Sequence, residues 1–275
     1  RPRYATEAVR ALKYAFHRNL DRPAESLDRA TVIKTLDALC HRAHGRQKAK
    51  GNAIAGCTAA YGRAAYSWAL KRVTLQSNPF ADFPLNPSPS KRERVLSDAE
   101  LVAVWNAATE TALPYGAIVR LLILTGQRTG EVAGMAWAEL SEDFSVWQIP
   151  AARTKNGTPN FVPLSEPARE LLLGLTKTHD LVMPGARETP FSGWSKAKPR
   201  LDIASGVSGW QLHDLRRTMA TGLQRLGVRL EVTEAVLNHV GGSRAGIVGI
   251  YQRHDWAQEK REALDAWAKH VRSLV

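Results

Sequence analysis

The stretch NPFADFPLNPSPSKR, residues 78–92, limits the architecture more than any other part of the chain. Pro79, Pro84, Pro87 and Pro89 each remove a backbone donor, fix φ and push the preceding residue toward extended geometry, so neither a helix nor a central strand runs through it. Apolar residues recur at helical spacing on both sides of this break. The chain is therefore read as a first domain over 1–84, a linker over 85–93 and a second domain over 94–275. Its 275 residues are enough for two domains, each with a core of its own.

The first domain reads as all-helical. Residues 4–20 carry Ala, Val, Leu and Phe at helical spacing, and Ser26 or Asp28 caps a second run with Val32, Ile33, Leu36 and Leu39 on its stripe. A third run, 52–72, holds Ile54, Tyr61, Ala65, Trp68 and Leu70. Basic residues lie between these positions, and the whole chain has 38 Lys and Arg against 26 Asp and Glu, a formal net charge of +12. Such an excess suits a polyanion, because each cation laid on a phosphate releases condensed counterions. Charge alone does not separate DNA from RNA, and a merely basic surface is the plainer alternative; DNA is the reading adopted.

Other classes are disfavoured. Cys40 and Cys57 are too few for a disulfide framework, and with His41 and His44 they lack the second paired motif of a structural zinc site, so no metal is expected. The apolar run AIVRLLIL at 117–124 is too short to span a bilayer, and no secretory signal opens the chain. The expectation is a cytoplasmic, nucleoid-associated protein with no membrane partner. The chain opens at Arg1 rather than at methionine, which leaves room for an earlier N-terminal piece.

In the second domain, Ser97 and Glu100 form a capping box ahead of a helix, and Pro114 opens another that ends at Thr125 and Gly126. Arg128 and Glu131 then sit three apart where a further helix begins, able to share a face. Two strand-like runs, 145–150 and 161–164, flank Asn156 and Gly157, a hairpin signal that leaves Lys155 at or near an exposed tip. Helices follow over 166–176, 190–200 and from Leu212, the last with Leu212, Leu215, Met219, Leu223 and Leu226 as its apolar stripe. A short helix with Val232, Val236 and Leu237 ends at His239, with Gly241 and Gly242 as its stop. A terminal amphipathic helix carries Ala257, Leu264 and Trp267. The fold class is mainly α with a small β-hairpin.

His213 and Arg216 lie off the stripe, one turn apart, ahead of His239 and Tyr251. Two imidazoles and a guanidinium suit a phosphate, and a hydroxyl could attack it. An ordinary basic helix with an interfacial tyrosine would read the same way from this stretch alone. Of the six tyrosines, Tyr4, Tyr14, Tyr61, Tyr66 and Tyr115 lie in helices where packing is the expected role.

The upstream segments resolve that choice. TGQRTGEV at 125–132, RTKNG at 153–157, HDLRRT at 213–218, LNHV at 237–240 and IYQRHDW at 250–256 resemble, in identity and order, the motifs of tyrosine recombinases, the phage-integrase family. The ending IYQRHDWAQEKREALDAW is especially similar to integrases of prophages and genomic islands. The resemblance covers the chain from about residue 92, and the helical domain less specifically. Asn238 departs from it, standing where the family commonly has glycine, and the arm-binding domain that such integrases usually carry is not found within these 275 residues.

The resemblance implies an all-helical core-binding domain followed by a catalytic domain that cuts and rejoins DNA through a 3′-phosphotyrosine, with Tyr251 as nucleophile. Charge accumulates on the non-bridging oxygens as the phosphate is attacked, so Arg128 and Arg216 are the natural clamp. His213 and His239 add hydrogen bonds and exchange protons, Lys155 is the candidate proton donor to the leaving oxygen, and Glu131 orients Arg128 or a histidine. Two arginines supply the neutralisation a divalent ion would otherwise give, and no phosphate-binding GxxxxGK[ST] loop is present, so no cofactor, metal or ATP is expected. The implied partners are double-stranded DNA attachment sites, a homotetramer on two duplexes and accessory DNA-bending proteins. A type IB topoisomerase-like activity and a catalytically silent DNA-binding relative are the alternatives. The terminal helix either docks on a neighbouring protomer, as the resemblance implies, or packs on its own domain.

Overall fold

The computed structural model describes residues 2–41, 48–72, 75–82, 93–239 and 256–275. Two compact units divide the chain, Arg1–Arg92 and Glu93–Val275. Among the described residues the architecture is helical apart from one two-stranded antiparallel sheet, as the patterning predicted.

In the first unit α1 (Pro2–Ala15), α2 (Arg29–His41) and α3 (Lys48–Leu70) enclose Phe16, Val32, Leu36, Leu39, Ala55, Ala59 and Phe80. The stripe expected on α3 is corrected. Ile54 and Trp68 are exposed, whereas Ala55, Thr58, Ala59 and Gly62 face inward. Small residues win this face because Phe80 needs the room: a Cβ on Gly62 would lie 2.4 Å from its ring. Phe80 also accepts a hydrogen bond from Arg63 Nε at 3.2 Å, so the first residues of the proline-rich break belong to this unit's core. Of the tyrosines expected to pack, Tyr4 and Tyr14 are more than half exposed, although Tyr4 meets Tyr61 edge to face at 5.1 Å. Cys40 and Cys57 are free thiols.

The second unit is built around α5 (Tyr115–Thr125). All its residues but Arg120 are buried, so it is a central core helix, and Tyr115 packs within it as expected. Around it lie α4 (Asp98–Thr109), α6 (Thr129–Ala133), α7 (Glu166–Leu173), α9 (Leu212–Arg225) and α11 (Ala257–Leu274), while α8 (Trp194–Ser205) packs on α4. The predicted capping box holds α4: Glu100 N donates to Ser97 Oγ at 3.2 Å and Ser97 N to Glu100 Oε2 at 2.9 Å. The helix expected over 190–200 begins four residues later, after Gly193, and runs on to a left-handed Gly206 despite Pro199.

Strands β1 (Val146–Ile149) and β2 (Asn160–Pro163) pair with Trp147 opposite Val162 and Ile149 opposite Asn160. Those four side chains share the buried face, while Phe161 is exposed. The register therefore commits a polar residue, Asn160, to the interior. The connection between the strands is a ten-residue loop rather than a two-residue turn, and within its turn only Gly157 has positive φ, at 74°.

Helix α11 buries Ala263, Leu264, Trp267, Ala268 and Val271 against its own unit, touching α5, α9, α10 (Leu230–Val236) and β2. Ala257, expected on that stripe, is exposed at the first turn. Trp267 anchors the helix by donating Nε1–H to Ile123 O at 2.8 Å, its ring lying over Gly222. No helix among the described residues is long and apolar enough to cross a membrane.

Candidate functional site

Three chain turns meet at one end of α5. The first is the α5–α6 turn. Gly126 ends α5 in the left-handed region at φ 61°, where a Cβ would fall 2.1 Å from Met219 Sδ. The turn leaves Arg128 at the N-terminus of α6, where Glu131 grips it twice: Oε1 accepts from Arg128 Nη1 at 2.9 Å and Oε2 from Arg128 N at 3.0 Å. Glu131 is itself buried, and its backbone carbonyl accepts from Arg153 Nη2 at 2.6 Å. Arg153 is thus a support that the sequence pattern did not single out.

The second is the start of α9, which carries His213 and Arg216 on adjacent turns. Arg216 is buried, with Nη1 donating to Gly126 O at 2.8 Å and Nη2 to Leu237 O. One guanidinium therefore joins the carbonyls that end α5 and α10. The apolar stripe of α9 holds at Leu215, Met219 and Leu223, while Leu226, past the helix end, is exposed.

The third is the end of α10. Its stop is Asn238, three residues before the glycine pair expected in that role. Asn238 takes φ 47°, its N–H bonds to Ala235 O at 3.1 Å, and His239 N–H reaches back to Glu234 O at 3.0 Å, the paired bonds of a Schellman cap. A left-handed residue is needed here, which accounts for glycine in the resembling family; asparagine is among the other residues that enter this region most readily. Gly241, Gly242 and Tyr251 lie outside the described residues.

The loop bearing Lys155 joins this third turn. Asn156 Nδ2 donates to Asn238 O at 3.0 Å and to Asn238 Oδ1 at 3.1 Å, and Asn238 Nδ2 donates to Thr158 O at 3.2 Å. Lys155 itself is exposed. Deeper down, Gln127 Nε2 bonds to Val236 O at 2.9 Å, Asn160 Nδ2 to Gln127 Oε1 at 3.1 Å and Lys260 Nζ to Asn160 Oδ1 at 3.3 Å. This buried chain ties α11, the strand base and the turn before Arg128 together. None of Gln127, Asn156, Asn160 or Lys260 was expected to serve the site, although Lys260 stands in line with Leu264, Trp267 and Val271 on the apolar stripe of α11.

The electrostatics are one-sided. Arg216 is lowered to about 10 by burial first and by Arg128 second, with Glu131 opposing. Burial, then Arg217 and Arg216, hold the His213 imidazole below its ordinary value. Loss of hydration, then Arg216 and Arg128, do the same for His239 even though its surface is exposed. Burial first and the crowding of guanidinium ions second disfavour the charged form of both imidazoles, and the Glu131 carboxylate offsets part of that crowding at Arg216. An incoming anion would relieve that crowding. Among the described residues no three His, Cys, Asp or Glu side chains converge as a metal site.

Comparison with known proteins gives the same frame. Residues 94–257 match the phage integrase family. Prophage integrase IntA of Escherichia coli is 31% identical over 164 residues, covering 55% of this chain and 37% of that protein. Tyrosine recombinase XerC of Pediococcus pentosaceus is 26% identical over 196 residues, 64% of each chain. The match thus spans well under half the length of the prophage integrase. In fold, lambda integrase residues 75–356, solved as a dimer bound to a core site, superposes with a TM-score of 0.65 at 18% identity over 89% of both chains.

Proposed function

The chain belongs to the phage integrase family, and from that premise we propose that it is a site-specific DNA recombinase that cuts and rejoins strands through a 3′-phosphotyrosine, without metal or ATP. The observation that carries this reading is the convergence of Arg128, Arg216, His213 and His239, each imidazole lowered in part by the guanidinium ions beside it. Such a cluster favours an anion that spreads charge over several oxygens as it reacts, the requirement of phosphoryl transfer.

In this reading Arg128 and Arg216 meet the non-bridging oxygens of the scissile phosphate, and His213 and His239 donate to them. The Tyr251 hydroxyl attacks phosphorus as its proton passes to one of the two imidazoles, the bond to the 5′ oxygen breaks, and Lys155 gives that oxygen a proton to leave a 5′-hydroxyl. Glu131 is a positioning residue for Arg128. Because phosphotyrosine replaces a phosphodiester of similar type, the rejoining step needs no further energy source. The helical unit before residue 93, with the chain's basic excess, is assigned to duplex binding. Double-stranded attachment sites are the substrate, and a homotetramer on two duplexes is the active assembly, in keeping with a lambda integrase tetramer on a Holliday junction whose fold matches at a TM-score of 0.65.

The test is covalent capture. Incubation with a random-sequence duplex pool nicked near its centre should leave a sequence-selected, denaturation-resistant adduct in the presence of EDTA. Replacing Tyr251 by Phe should abolish it. An adduct that survives Tyr251→Phe, or one that requires a divalent ion, would overturn the assignment. Relaxation of supercoils without sequence selection would point to a topoisomerase instead.

A further inference from the structure

The tie between the Lys155 loop and the end of α10 is made by two side chains that no role above absorbs. We propose that Asn238 is a positioning residue for proton donation, locking the loop that carries Lys155 onto the turn that carries His239. This rests on the reading of Lys155 as the proton donor.

The geometry supports a lock over a passive contact. Asn238 is buried and left-handed, and its amide is used on both sides: Oδ1 accepts from Asn156 Nδ2 at 3.1 Å and Nδ2 donates to Thr158 O at 3.2 Å. Asn156 Oδ1 in turn accepts from Thr158 N at 3.1 Å, which rigidifies the loop on the side facing Asn238. Lys155 is the residue next to Asn156, so the lock fixes the backbone from which its ammonium reaches out. The same turn presents Asn238 O toward Arg128 Nη2 at 3.5 Å and bonds Leu237 O to Arg216. The proton donor is thereby referenced to the same turn as the arginine clamp, across 82 residues of sequence.

Glycine at 238 would keep the left-handed backbone at no steric cost while removing the side-chain bonds to Asn156 and Thr158. A loop free to wander by about an ångström costs a well-oriented reaction about a hundredfold. The step affected would be only the one in which the P–O5′ bond breaks and the Lys155 proton passes to the oxygen. A sulfur in place of that bridging oxygen leaves as a thiolate and needs no proton, so it isolates the defect.

The experiment uses the full chain and a nicked duplex recovered by covalent capture, synthesised with either oxygen or sulfur at the 5′ bridge of the scissile phosphate. Asn238→Gly and Asn156→Ala should each slow single-turnover cleavage of the oxygen substrate about ten- to a hundredfold, and Lys155→Ala by at least as much. All three should return to within about threefold of the unaltered protein on sulfur, as loss of a general acid requires. Asn156→Ala leaves the α10 cap untouched, so it serves should Asn238→Gly fold poorly. If Lys155→Ala is rescued by sulfur and the two asparagine variants are not, or if they cleave oxygen at the normal rate, the lock is refuted while the lysine assignment stands. If Lys155→Ala itself is not rescued, Lys155 is not the acid and both ideas fall.

Discussion

Arg216→Lys should separate two tasks that one guanidinium performs. The side chain is buried, and its two terminal nitrogens hold Gly126 O at 2.8 Å and Leu237 O, the carbonyls that end α5 and α10. Lysine keeps the charge and most of the stem, but its ammonium is a point donor that cannot span a fork. One charge-assisted bond is lost and one buried carbonyl is left without a partner, which together cost about 2 kcal/mol. For a unit of this size each kcal/mol moves Tm by about 2–4 °C, so the catalytic unit should melt about 4–8 °C lower. Cleavage should fall further than stability, about a hundredfold or more, because a clamp donor is lost as well. Differential scanning calorimetry and single-turnover cleavage well below the melting range read the two effects separately. Arg225→Lys on the same helix is the control, since its 3.4 Å pair with Asp98 is exposed and such pairs contribute little. A Tm drop within 1 °C of that control would refute the staple, with ~1 °C being the smallest shift that a few tenths of a kcal/mol would give.

Further outcomes follow from the same contacts. Gly222→Ala would set a Cβ 2.2 Å from Trp267 Cζ3, forcing the ring off its bond to Ile123 O; denaturant unfolding should show a loss of about 1–3 kcal/mol, and an unchanged midpoint would contradict the packing. Because His213 and His239 are held below the usual imidazole range, the unfolded chain binds more protons just below pH ~6.5, and stability should decline as pH falls through that range. A bound phosphate reverses the sign by favouring the imidazolium forms. Calorimetric titration of duplex in two buffers of different ionisation enthalpy near pH ~6 should therefore report proton uptake, and release of protons would contradict the site's electrostatics.

What the residues revealed in advance divides along physical lines. Local chemistry was legible: Ser97 and Glu100 cap α4 as their spacing required, and Arg128 pairs with Glu131 three residues on. The side chains proposed to grip phosphate also converge, because the turns after α5 and α10 and the start of α9 meet. Periodicity misjudged what only tertiary neighbours decide. Arg216 lies off the leucine stripe, a position that carries no signal of burial, yet two helix ends close over it. On α3 the small residues Ala55, Ala59 and Gly62 took the core in place of Ile54 and Trp68, since Phe80 arrives from beyond the helix. Asn156 and Gly157 signalled a turn, but Asn156 spends its amide on Asn238, 82 residues away. Lys260 was visible as a charge on an apolar stripe, a signal of a buried partner though not of which one, whereas Asn160 fell just outside the strand read over 161–164 and gave no such signal.

Mapping the protein–DNA bond itself tests the central claim most directly. After covalent capture and tryptic digestion, the nucleotide should be found on the peptide 245–253, AGIVGIYQR, joined through phosphate to Tyr251, with a free 5′-hydroxyl on the released strand. A nucleotide on any other tyrosine, or a released strand bearing a 5′-phosphate, would contradict the account.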